Sequence, residues 1–545
     1  MSDKNAMDSS SDLVKAMGEL VTASLKRPDK LFMAYSEAVR TTALSLTGSA
    51  DVAPEKGDKR FKDPIWSSNP AYKALMQTYL TWSKGMNDWV DGLDMDDRNK
   101  LRAKLVTSIL TDGVAPTNML MGNPSAMHKT LETGGKNLVS GARHMIDDML
   151  HNGGLPSSVD KSKFKVGENI AVSEGDVIYR EDILELIQYK PKTEKVFERP
   201  VFIVPPQINK FYAWDLAPKR SAVEFLVSQG HTVFLVSWRN PGNEHADWGM
   251  DEYIAGLDRA SQVACEVSKS KELNVVGACS GGITASLLMA YWAAIDTKRA
   301  NTFTLLVAIL DVEGAKDTAM GLFANFETLE LARMFSRSRG VLPGSALQKA
   351  FAWLRPNDLI WAYWVNNYLL GNEPPAFDIL FWNSDTTNLP AALHSDMISL
   401  MEKGGARRGA NLTVLGVPVG LEQVTCDKLL VGGTTDHITP WEGCYQSVST
   451  FGGKNDFILS EAGHVQSIIN PVGNPKARFM TNTGAHTTPE EFRAGAESRP
   501  GSWWPYWAEW LQERSGNEIN APKKPGTAKY PSLCAAPGTY VLQGE

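Results

Sequence analysis

Apolar and charged positions recur at helical spacing through the first 160 residues. One group of apolar positions is Leu13, Met17, Leu20 and Val21, and another is Leu75, Tyr79 and Trp82. Side chains three or four positions apart lie on the same face of a helix. Strand-like runs are few in this part of the chain. The pattern therefore predicts a helical N-terminal domain over residues 1–160.

A cluster of turn-forming residues at 152–158 marks a change of pattern. Beyond it, short apolar runs are bounded by turn residues, and helical segments lie between them. The predicted strands are a pair within 177–189, followed by 200–204, 232–237, 274–276, 304–310, 428–431 and 456–459. This alternation favours a mostly parallel α/β sheet. It predicts a second domain, 161–545, in a chain too long for one hydrophobic core.

The alternation stops over residues 312–427, where aromatic residues and helix formers dominate. The aromatic residues are Trp353, Trp361, Tyr363, Trp364, Phe377 and Trp382. An insertion of this composition before the last strands predicts a cap over an active site. The alternative is a second helical core without substrate contact, because rows of aromatic side chains usually serve packing.

Charge and hydropathy argue against three classes of protein: nucleic-acid binders, secreted proteins and membrane-spanning proteins. The formal net charge is -7, from 55 basic and 62 acidic residues, and no extended basic run is present. A nucleic-acid binder is therefore not expected. Residues 1–12 are polar and lack the features of a secretory signal. The apolar stretch 283–295 is shorter than the roughly 18 residues of a membrane span, so we expect a buried helix and a cytoplasmic protein.

Five cysteines are scattered along the chain without any C-x-x-C pair. They are Cys265, Cys279, Cys426, Cys444 and Cys534. An odd number cannot pair completely within one chain, which favours reduced thiols and a reducing compartment.

Cys279 lies in a sequence that is typical of a nucleophile elbow. Residues 274–282 read NVVGACSGG, a predicted strand that ends in G-x-C-x-G before an apolar helix. Gly277 and Gly281 allow strand and helix to approach closely, and the N–H of Ser280 would face a developing oxyanion. The α/β-hydrolase fold follows, with cysteine in the place of serine. The alternative is a small buried cysteine beside a tight turn.

An acid and a base follow the cysteine in the chain order of α/β-hydrolases. Asp436 comes after the predicted strand 428–431, and His464 comes 28 residues later, after the predicted strand 456–459. Asp311, after the predicted strand 304–310, is an alternative acid. His437 is the rival base, although a residue next to the orienting acid would project differently. No histidine spacing indicates a metal site.

Several longer motifs resemble those of the polyhydroxyalkanoate synthases. They are VPPQINKFYAWDL (204–216), VSWRNP (236–241), GACSGG (277–282), RPNDLIW (355–361), TTDHITPW (434–441), GHVQSIINP (463–471), GNPKARF (473–479) and GSWW (501–504). The similarity runs from about residue 165 to the last residue and is looser in the helical N-terminal part.

The resemblance implies roles for the candidate residues. Cys279 would be the acylated nucleophile and His464 its general base. Asp436 would orient His464 or help to activate the incoming hydroxyl. The substrate would be an (R)-3-hydroxyacyl-coenzyme A, with coenzyme A as leaving group and no other cofactor or metal.

Secondary roles also follow from the resemblance. Val204 lies where the second oxyanion donor of such folds usually arises. His437 would have a structural or substrate-contacting role, and Arg355 would contact a phosphate of coenzyme A.

The same resemblance implies an assembly and a substrate range. Gln207 and the GNPKARF motif are similar to single-subunit synthases that favour medium-chain monomers. Such synthases suggest a homodimer attached to the surface of the polymer granule, with its growing polyester and no obligatory second protein.

Two other functions are compatible with parts of the sequence. A thioesterase or cysteine-type hydrolase could use the same fold and the same three residues. A granule-coat protein without activity could hold polymer through its helical N-terminus, but it would leave a complete set of Cys, Asp and His in the correct order unexplained.

A cysteine suits acyl transfer because its acyl-enzyme is a thioester that an alcohol can attack. An apolar cap would keep water away from that thioester.

Overall fold

A computed structural model describes residues 28–46, 52–316, 321–322, 326–484 and 486–544. The described chain divides into two compact units. One holds the described residues of Met1–Lys161 with Leu322–Thr328 and Gln348–Leu380, and the other holds Ser162–Gly321, Leu329–Leu347 and Phe381–Glu545. The first unit is called the helical unit below, and the second the sheet unit.

The helices of the described chain confirm the helical character predicted for the N-terminal part. They are α1 (Pro28–Leu46), α2 (Ile65–Ser68), α3 (Pro70–Asp91), α4 (Asp97–Gly113), α5 (Pro124–Thr133), α6 (Lys136–His151), α7 (Ala222–Ser228), α8 (Met250–Ser268), α9 (Cys279–Ala294), α10 (Phe326–Arg339), α11 (Gly344–Leu354), α12 (Asp378–Ser384), α13 (Ala391–Glu402), α14 (Trp441–Thr450), α15 (His464–Ile468), α16 (Pro489–Ala494) and α17 (Trp504–Gln512). The predicted helical group from Leu13 to Val21 lies outside the described residues. No described helix combines the length and the apolar character that a membrane crossing requires.

Part of the inserted region belongs to the helical unit. The π-helical segment Trp364–Leu369 packs on α6 so closely that a Cβ atom at Gly141 would lie 1.9 Å from the carbonyl oxygen of Tyr368. Asn137 Nδ2 donates to the carbonyl of Leu369 at 2.8 Å. Trp361 and Trp364 stack edge to face. These aromatic residues therefore contribute to packing of the helical unit, and a lid role for the insertion stays a prediction.

The strands of the described chain are short and mostly buried. They are β1 (Gly175–Arg180), β2 (Leu184–Tyr189), β3 (Lys195–Phe197), β4 (Val201–Val204), β5 (Val233–Trp238), β6 (Leu273–Ala278), β7 (Ala300–Leu306), β8 (Val341–Leu342), β9 (Leu389–Pro390), β10 (Leu412–Val414), β11 (Val417–Val419), β12 (Asp427–Gly433), β13 (Asn455–Ser460), β14 (Arg478–Thr481), β15 (Glu497–Pro500), β16 (Glu518–Asn520) and β17 (Cys534–Ala535).

Eleven of these strands form the main sheet, in the order β15-β14-β13-β12-β7-β6-β4-β5-β2-β1-β17. The central strands from β5 to β13 are parallel, and both edges are antiparallel. Strands β4, β5 and β6 are buried along their whole length, as expected for parallel strands covered by helices on both faces. The predicted parallel α/β sheet is confirmed.

One strand prediction was wrong at its end. Strand β7 ends at Leu306, and not at residue 310, because Val307 has a left-handed backbone (φ 43°) that cannot continue a strand. The predicted apolar helix begins earlier than expected, at Cys279 itself. Its apolar residues surround the helix on all sides, which fits its almost complete burial.

A buried histidine makes the stability of the sheet unit depend on pH. His231 is fully buried, and neither ring nitrogen has a hydrogen-bond partner among the described atoms. Burial lowers the pKa of His231 from 6.5 to about 4. Between pH 4 and pH 6.5 the unfolded chain binds a proton on this histidine more readily than the folded protein does. The free energy of unfolding is therefore highest above pH 6.5 and decreases as the pH falls towards 4.

We expect His231→Phe to lose less stability than the parent protein when the pH falls from 7 to 4.5. Over this pH range the free energy of unfolding of the parent should fall by up to about 3 kcal/mol more than that of His231→Phe, since one pKa unit corresponds to about 1.4 kcal/mol. Denaturant midpoints at both pH values measure it, and His151→Gln on the exposed end of α6 is the control. An equal loss in His231→Phe and the parent would contradict the prediction.

Candidate active site

Cys279 stands at a sharp turn between a strand and a helix. Strand β6 ends at Ala278, and α9 begins at Cys279 with φ 51°. This left-handed conformation is uncommon for a residue with a Cβ atom and is often found where the fold enforces a functional geometry. The side chain is half-buried. The structure thus has the strand-turn-helix geometry that the G-x-C-x-G sequence predicted.

The glycines around Cys279 are required by close backbone contacts. A Cβ atom at Gly281 would lie 2.3 Å from the carbonyl oxygen of Pro205, and one at Gly277 would lie 2.8 Å from Cα of Gly282. Real Cβ atoms do not approach other atoms so closely. The prediction that Gly277 and Gly281 allow strand and helix to approach is therefore confirmed.

The candidate oxyanion donors lie on two neighbouring segments. Ser280 is the second residue of α9, so its N–H has no helical carbonyl partner. Val204 ends β4 and pairs with Gly277, and the two prolines that follow carry no N–H. The first N–H after β4 is that of Gln207, which donates to Ser280 Oγ at 3.2 Å. Gln207 Nε2 also donates to Thr284 Oγ1 at 2.9 Å.

The structure brings Asp436 and His464 together. Asp436 lies in the loop after β12, and His464 is the first residue of α15 after β13. His464 Nδ1 and Asp436 Oδ2 are 2.7 Å apart. The other carboxylate oxygen accepts from the backbone N–H groups of Ile438 and Thr439, each at 2.9 Å. Both side chains are buried, and the hydroxyl of Thr439 is a fourth donor to the acid, at 2.7 Å.

The electrostatics of this pair favour a charged imidazole ring. Burial by itself lowers the pKa of His464, but the sulfur of Cys279 and the carboxylate of Asp436, which both bind the ring, raise it to about 10. Burial opposes the charge on Asp436, yet hydrogen bonds from His464 and Thr439 hold its pKa below the ordinary value. A thiolate next to an imidazolium is the reactive form of a catalytic cysteine.

The other four cysteines have surroundings that disfavour the thiolate. Burial raises the pKa of Cys265 to about 11, and it also raises the pKa values of Cys426, Cys444 and Cys534. All five cysteines are free thiols. Cys279 is the one that the structure places against the ring of His464, which supports it as the nucleophile.

Thr439 belongs to the site and was not found from the sequence. Its hydroxyl lies 2.7 Å from Asp436 Oδ2, 3.0 Å from His464 Nδ1 and 3.1 Å from the carbonyl oxygen of Val307. The strained backbone of Val307 presents this carbonyl directly after β7. The sequence signal covers only part of this arrangement, because an aspartate in a loop commonly accepts backbone N–H groups two or three residues further on.

We expect Thr439→Val to lower turnover about tenfold without changing the fold. Valine has a similar shape but cannot donate to Asp436, and a hydrogen bond to a charged group contributes about 1.5–3 kcal/mol. Thr439→Ser retains the hydroxyl and should stay close to the parent rate. Steady-state turnover of the acyl thioester that the sequence resemblance implies as substrate measures both variants. A Thr439→Val variant as active as Thr439→Ser would show that the hydroxyl is not needed.

The remaining candidates are placed differently. His437 is half-buried next to Asp436, but the acid binds the ring of His464. Asp311 caps the short helix Val312–Ala315 by accepting from the N–H of Glu313 at 3.0 Å. Arg355 lies in the helical unit, half-exposed and paired with Asp358. No group of three or more His, Cys, Asp or Glu side chains within the described ranges is arranged to hold a metal ion.

These features define an enzyme of the α/β-hydrolase class with a cysteine at the nucleophile position. Residues 200–471 match the family described as alpha/beta hydrolase fold. Residues 57–226 match the family described as the N-terminus of poly-beta-hydroxybutyrate polymerase (PhaC).

Full-length relatives identify the family. The chain is 48% identical to poly(3-hydroxyalkanoate) polymerase 1 of Ectopseudomonas oleovorans, over 91% of this chain and 88% of the relative. It is 38% identical to the poly(3-hydroxyalkanoate) polymerase subunit PhaC of Cupriavidus necator, over 91% of this chain and 84% of the relative. The chain belongs to the poly(3-hydroxyalkanoate) polymerase family, and it is therefore an enzyme of the acyltransferase class.

Solved structures give a more distant likeness. A monoacylglycerol lipase of Paleococcus ferrophilus shares 15% identity with a TM-score of 0.31, over 52% of this chain and 90% of the lipase. The thioesterase domain of the curacin biosynthetic pathway shares 13% identity with a TM-score of 0.30, over 55% of this chain and 95% of that domain. The family assignment depends on the sequence relatives.

Proposed function

We propose that this enzyme transfers (R)-3-hydroxyacyl groups from coenzyme A thioesters to a growing polyester through an acyl-enzyme on Cys279. The single observation that carries the proposal is the hydrogen-bonded His464–Asp436 pair next to Cys279, the first residue of α9. Membership of the polymerase family supports the substrate class. The medium-chain preference is part of the proposal and rests on the resemblance carried by Gln207 and the GNPKARF motif.

In the acylation step, His464 holds the proton of the Cys279 thiol and the thiolate attacks the thioester carbonyl. The C–S bond to coenzyme A breaks, and the proton of His464 passes to the departing thiolate. The N–H of Ser280, unpaired at the start of α9, is the proposed donor to the oxyanion. The acyl group is then a thioester of Cys279.

In the elongation step, a hydroxyl at the end of a hydroxyacyl chain attacks that thioester. An ester C–O bond forms, the C–S bond to Cys279 breaks, and the hydroxyl proton passes to His464 and from there to the sulfur. Asp436 stabilises the imidazolium that forms during the transfer. An alcohol is a weaker acid than a thiol, so the charge of Asp436 is more important in elongation, where the alcohol loses its proton, than in acylation.

A thioesterase would use the same residues with water as the acceptor. The two functions differ only in which hydroxyl reaches the acyl-enzyme, so the site by itself is compatible with both. The family relatives favour the polymerase, because three relatives that match more than nine tenths of this chain are named as polymerases.

The deciding experiment supplies the purified protein with (R)-3-hydroxyacyl-coenzyme A thioesters of four to twelve carbons. Released coenzyme A and polymer are measured in the same reaction. We expect both to appear together, with faster turnover for medium-chain substrates. Coenzyme A release with free hydroxy acid and no polymer would identify a hydrolase instead.

We also propose that the helical unit mediates attachment to the granule surface and homodimer formation. Apolar side chains at intervals of seven and four follow one face of α6 and are exposed: Val139 by 74%, Ile146 by 59% and Leu150 by 72%. Exposed apolar faces of this kind commonly mark protein or lipid-like contact sites. Replacing all three by serine, followed by granule fractionation and sedimentation, tests the proposal; unchanged granule binding and unchanged mass would exclude it.

A further inference from the structure

The segment 539–544 is held against the rest of the sheet unit by four sets of side-chain contacts, called anchors below. Its first anchor is the carboxylate of Glu185 on β2, which is fully buried. This carboxylate accepts from the N–H of Thr539 at 3.0 Å, from the Thr539 hydroxyl at 2.7 Å and from the N–H of Tyr540 at 3.1 Å. A Cβ atom at Gly538 would lie 2.3 Å from the same carboxylate. The chain is thus shaped to fit closely over Glu185.

The second anchor is the ring of Tyr540, which is buried next to Arg239. The guanidinium of Arg239 lies 4.6 Å from the ring centroid, and Nη2 donates to the tyrosine hydroxyl at 2.9 Å. That hydroxyl in turn donates to the carbonyl of Glu181 at 2.9 Å. Cation–π contact and hydrogen bond together fix the ring.

The third anchor is the buried ammonium group of Lys210. Lys210 Nζ donates to the carbonyl oxygens of Val541 at 2.7 Å and Gln543 at 2.5 Å. It also pairs with Asp385 at 3.2 Å. All three donors of the ammonium are therefore used, two of them on the backbone of the segment. A buried charge with such partners is costly to remove.

The fourth anchor is Asn240, and it binds the end of the segment. The backbone N–H of Asn240 donates to Gln543 Oε1 at 3.2 Å, and Asn240 Nδ2 donates to the carbonyl of Gly544 at 2.8 Å. Lys210 belongs to the motif after β4, and Asn240 belongs to the motif after β5. Loops at the carboxyl ends of parallel strands form the substrate sites of α/β folds, so the segment joins two such loops.

One of these loops contacts the residue that follows the nucleophile. Gln207, three residues before Lys210, gives its N–H to Ser280 Oγ and its side-chain amide to Thr284 Oγ1. Both partners lie in the first two turns of α9, which begins at Cys279. A movement of the loop at Lys210 would therefore be transmitted to the residue that follows the nucleophile.

We propose that residues 539–544 act as a strap that fixes the loop 205–210 against the start of α9, and that Lys210 is a positioning residue for acyl transfer. The proposal rests on the proposed function in one respect, that Cys279 is the nucleophile. It assigns a role to the VPPQINK and VSWRNP motifs, which the three reacting side chains leave unexplained.

The test releases the strap at two separate anchors in the full-length protein, with Lys210→Met and Tyr540→Leu. We expect each variant to acylate Cys279 about tenfold more slowly in a single turnover with (R)-3-hydroxyacyl-coenzyme A, with KM unchanged within about twofold, since small misplacements of reacting groups are costly. The double variant should be no more than about twofold slower than either single variant, because both changes release the same strap. Hydrogen exchange should rise at 539–544 and at 205–210 in all three.

Lys190→Met, which removes an exposed lysine paired with Glu174 on the surface, is the matched control and should keep the parent rate. Turnover of Lys210→Met equal to that of this control would overturn the proposal. It would also be overturned if the rate losses of the two single variants multiplied in the double variant, or if KM rose while kcat stayed constant. If Lys210→Met does not fold, Tyr540→Leu carries the same test. A parent protein without any turnover would contradict the proposed function, whereas an active parent with unaffected variants would contradict the strap alone.

Discussion

Cys279→Ala should lower coenzyme A release by about 10⁴-fold or more, which is the scale of losing a covalent nucleophile. The fold should persist, because the change removes one sulfur from a half-buried side chain. Cys279→Ser should also be severely impaired, since a hydroxyl is far less ionised than a thiol near neutral pH. Single-turnover coenzyme A release and mass spectrometry of the acyl-enzyme measure both variants.

The control for this prediction is Cys265→Ala. Cys265 lies on α8, and burial raises its pKa to about 11, so its thiol is not expected to react. This variant should form the acyl-enzyme at the parent rate. Normal turnover in Cys279→Ala would show that the first residue of α9 is not the nucleophile.

Asp436→Asn and His464→Gln should separate acylation from elongation. Without His464 neither the thiol nor the incoming hydroxyl can lose its proton efficiently, so both steps should fall by about 10³-fold. Asp436→Asn keeps the shape of the side chain but removes a carboxylate that, after the sulfur of Cys279, raises the pKa of His464. A cysteine depends less on this third residue than a serine does.

We therefore expect Asp436→Asn to acylate within about tenfold of the parent rate and to elongate about 10³-fold more slowly. The enzyme should accumulate with one or a few monomers attached, which mass spectrometry of the intact protein detects. Unchanged elongation in Asp436→Asn would move the role of the acid to Asp311. That outcome would be unexpected, because Asp311 binds the N–H of Glu313 at the start of a short helix.

The sequence by itself determined the three candidate residues and most of the strands that carry them, but not the order of those strands in the sheet. Apolar runs bounded by turns predicted β4, β5, β6, β12 and β13 within two residues of their observed ends. The G-x-C-x-G pattern predicted the turn at Cys279, because only small flanking residues fit where helix and strand nearly touch. Chain order then indicated Asp436 and His464, which the structure places 2.7 Å apart.

Only the tertiary structure decided which other groups complete the site. The Thr439 hydroxyl, which binds Asp436, also contacts the strained carbonyl of Val307, 132 positions away, and no local pattern encodes that contact. The same holds for Lys210 and Val541, which are 331 positions apart. Local periodicity reports the face that a segment buries. The partner of a buried hydroxyl or ammonium group depends instead on which loops the assembled sheet brings together, and that is set by packing over the whole unit.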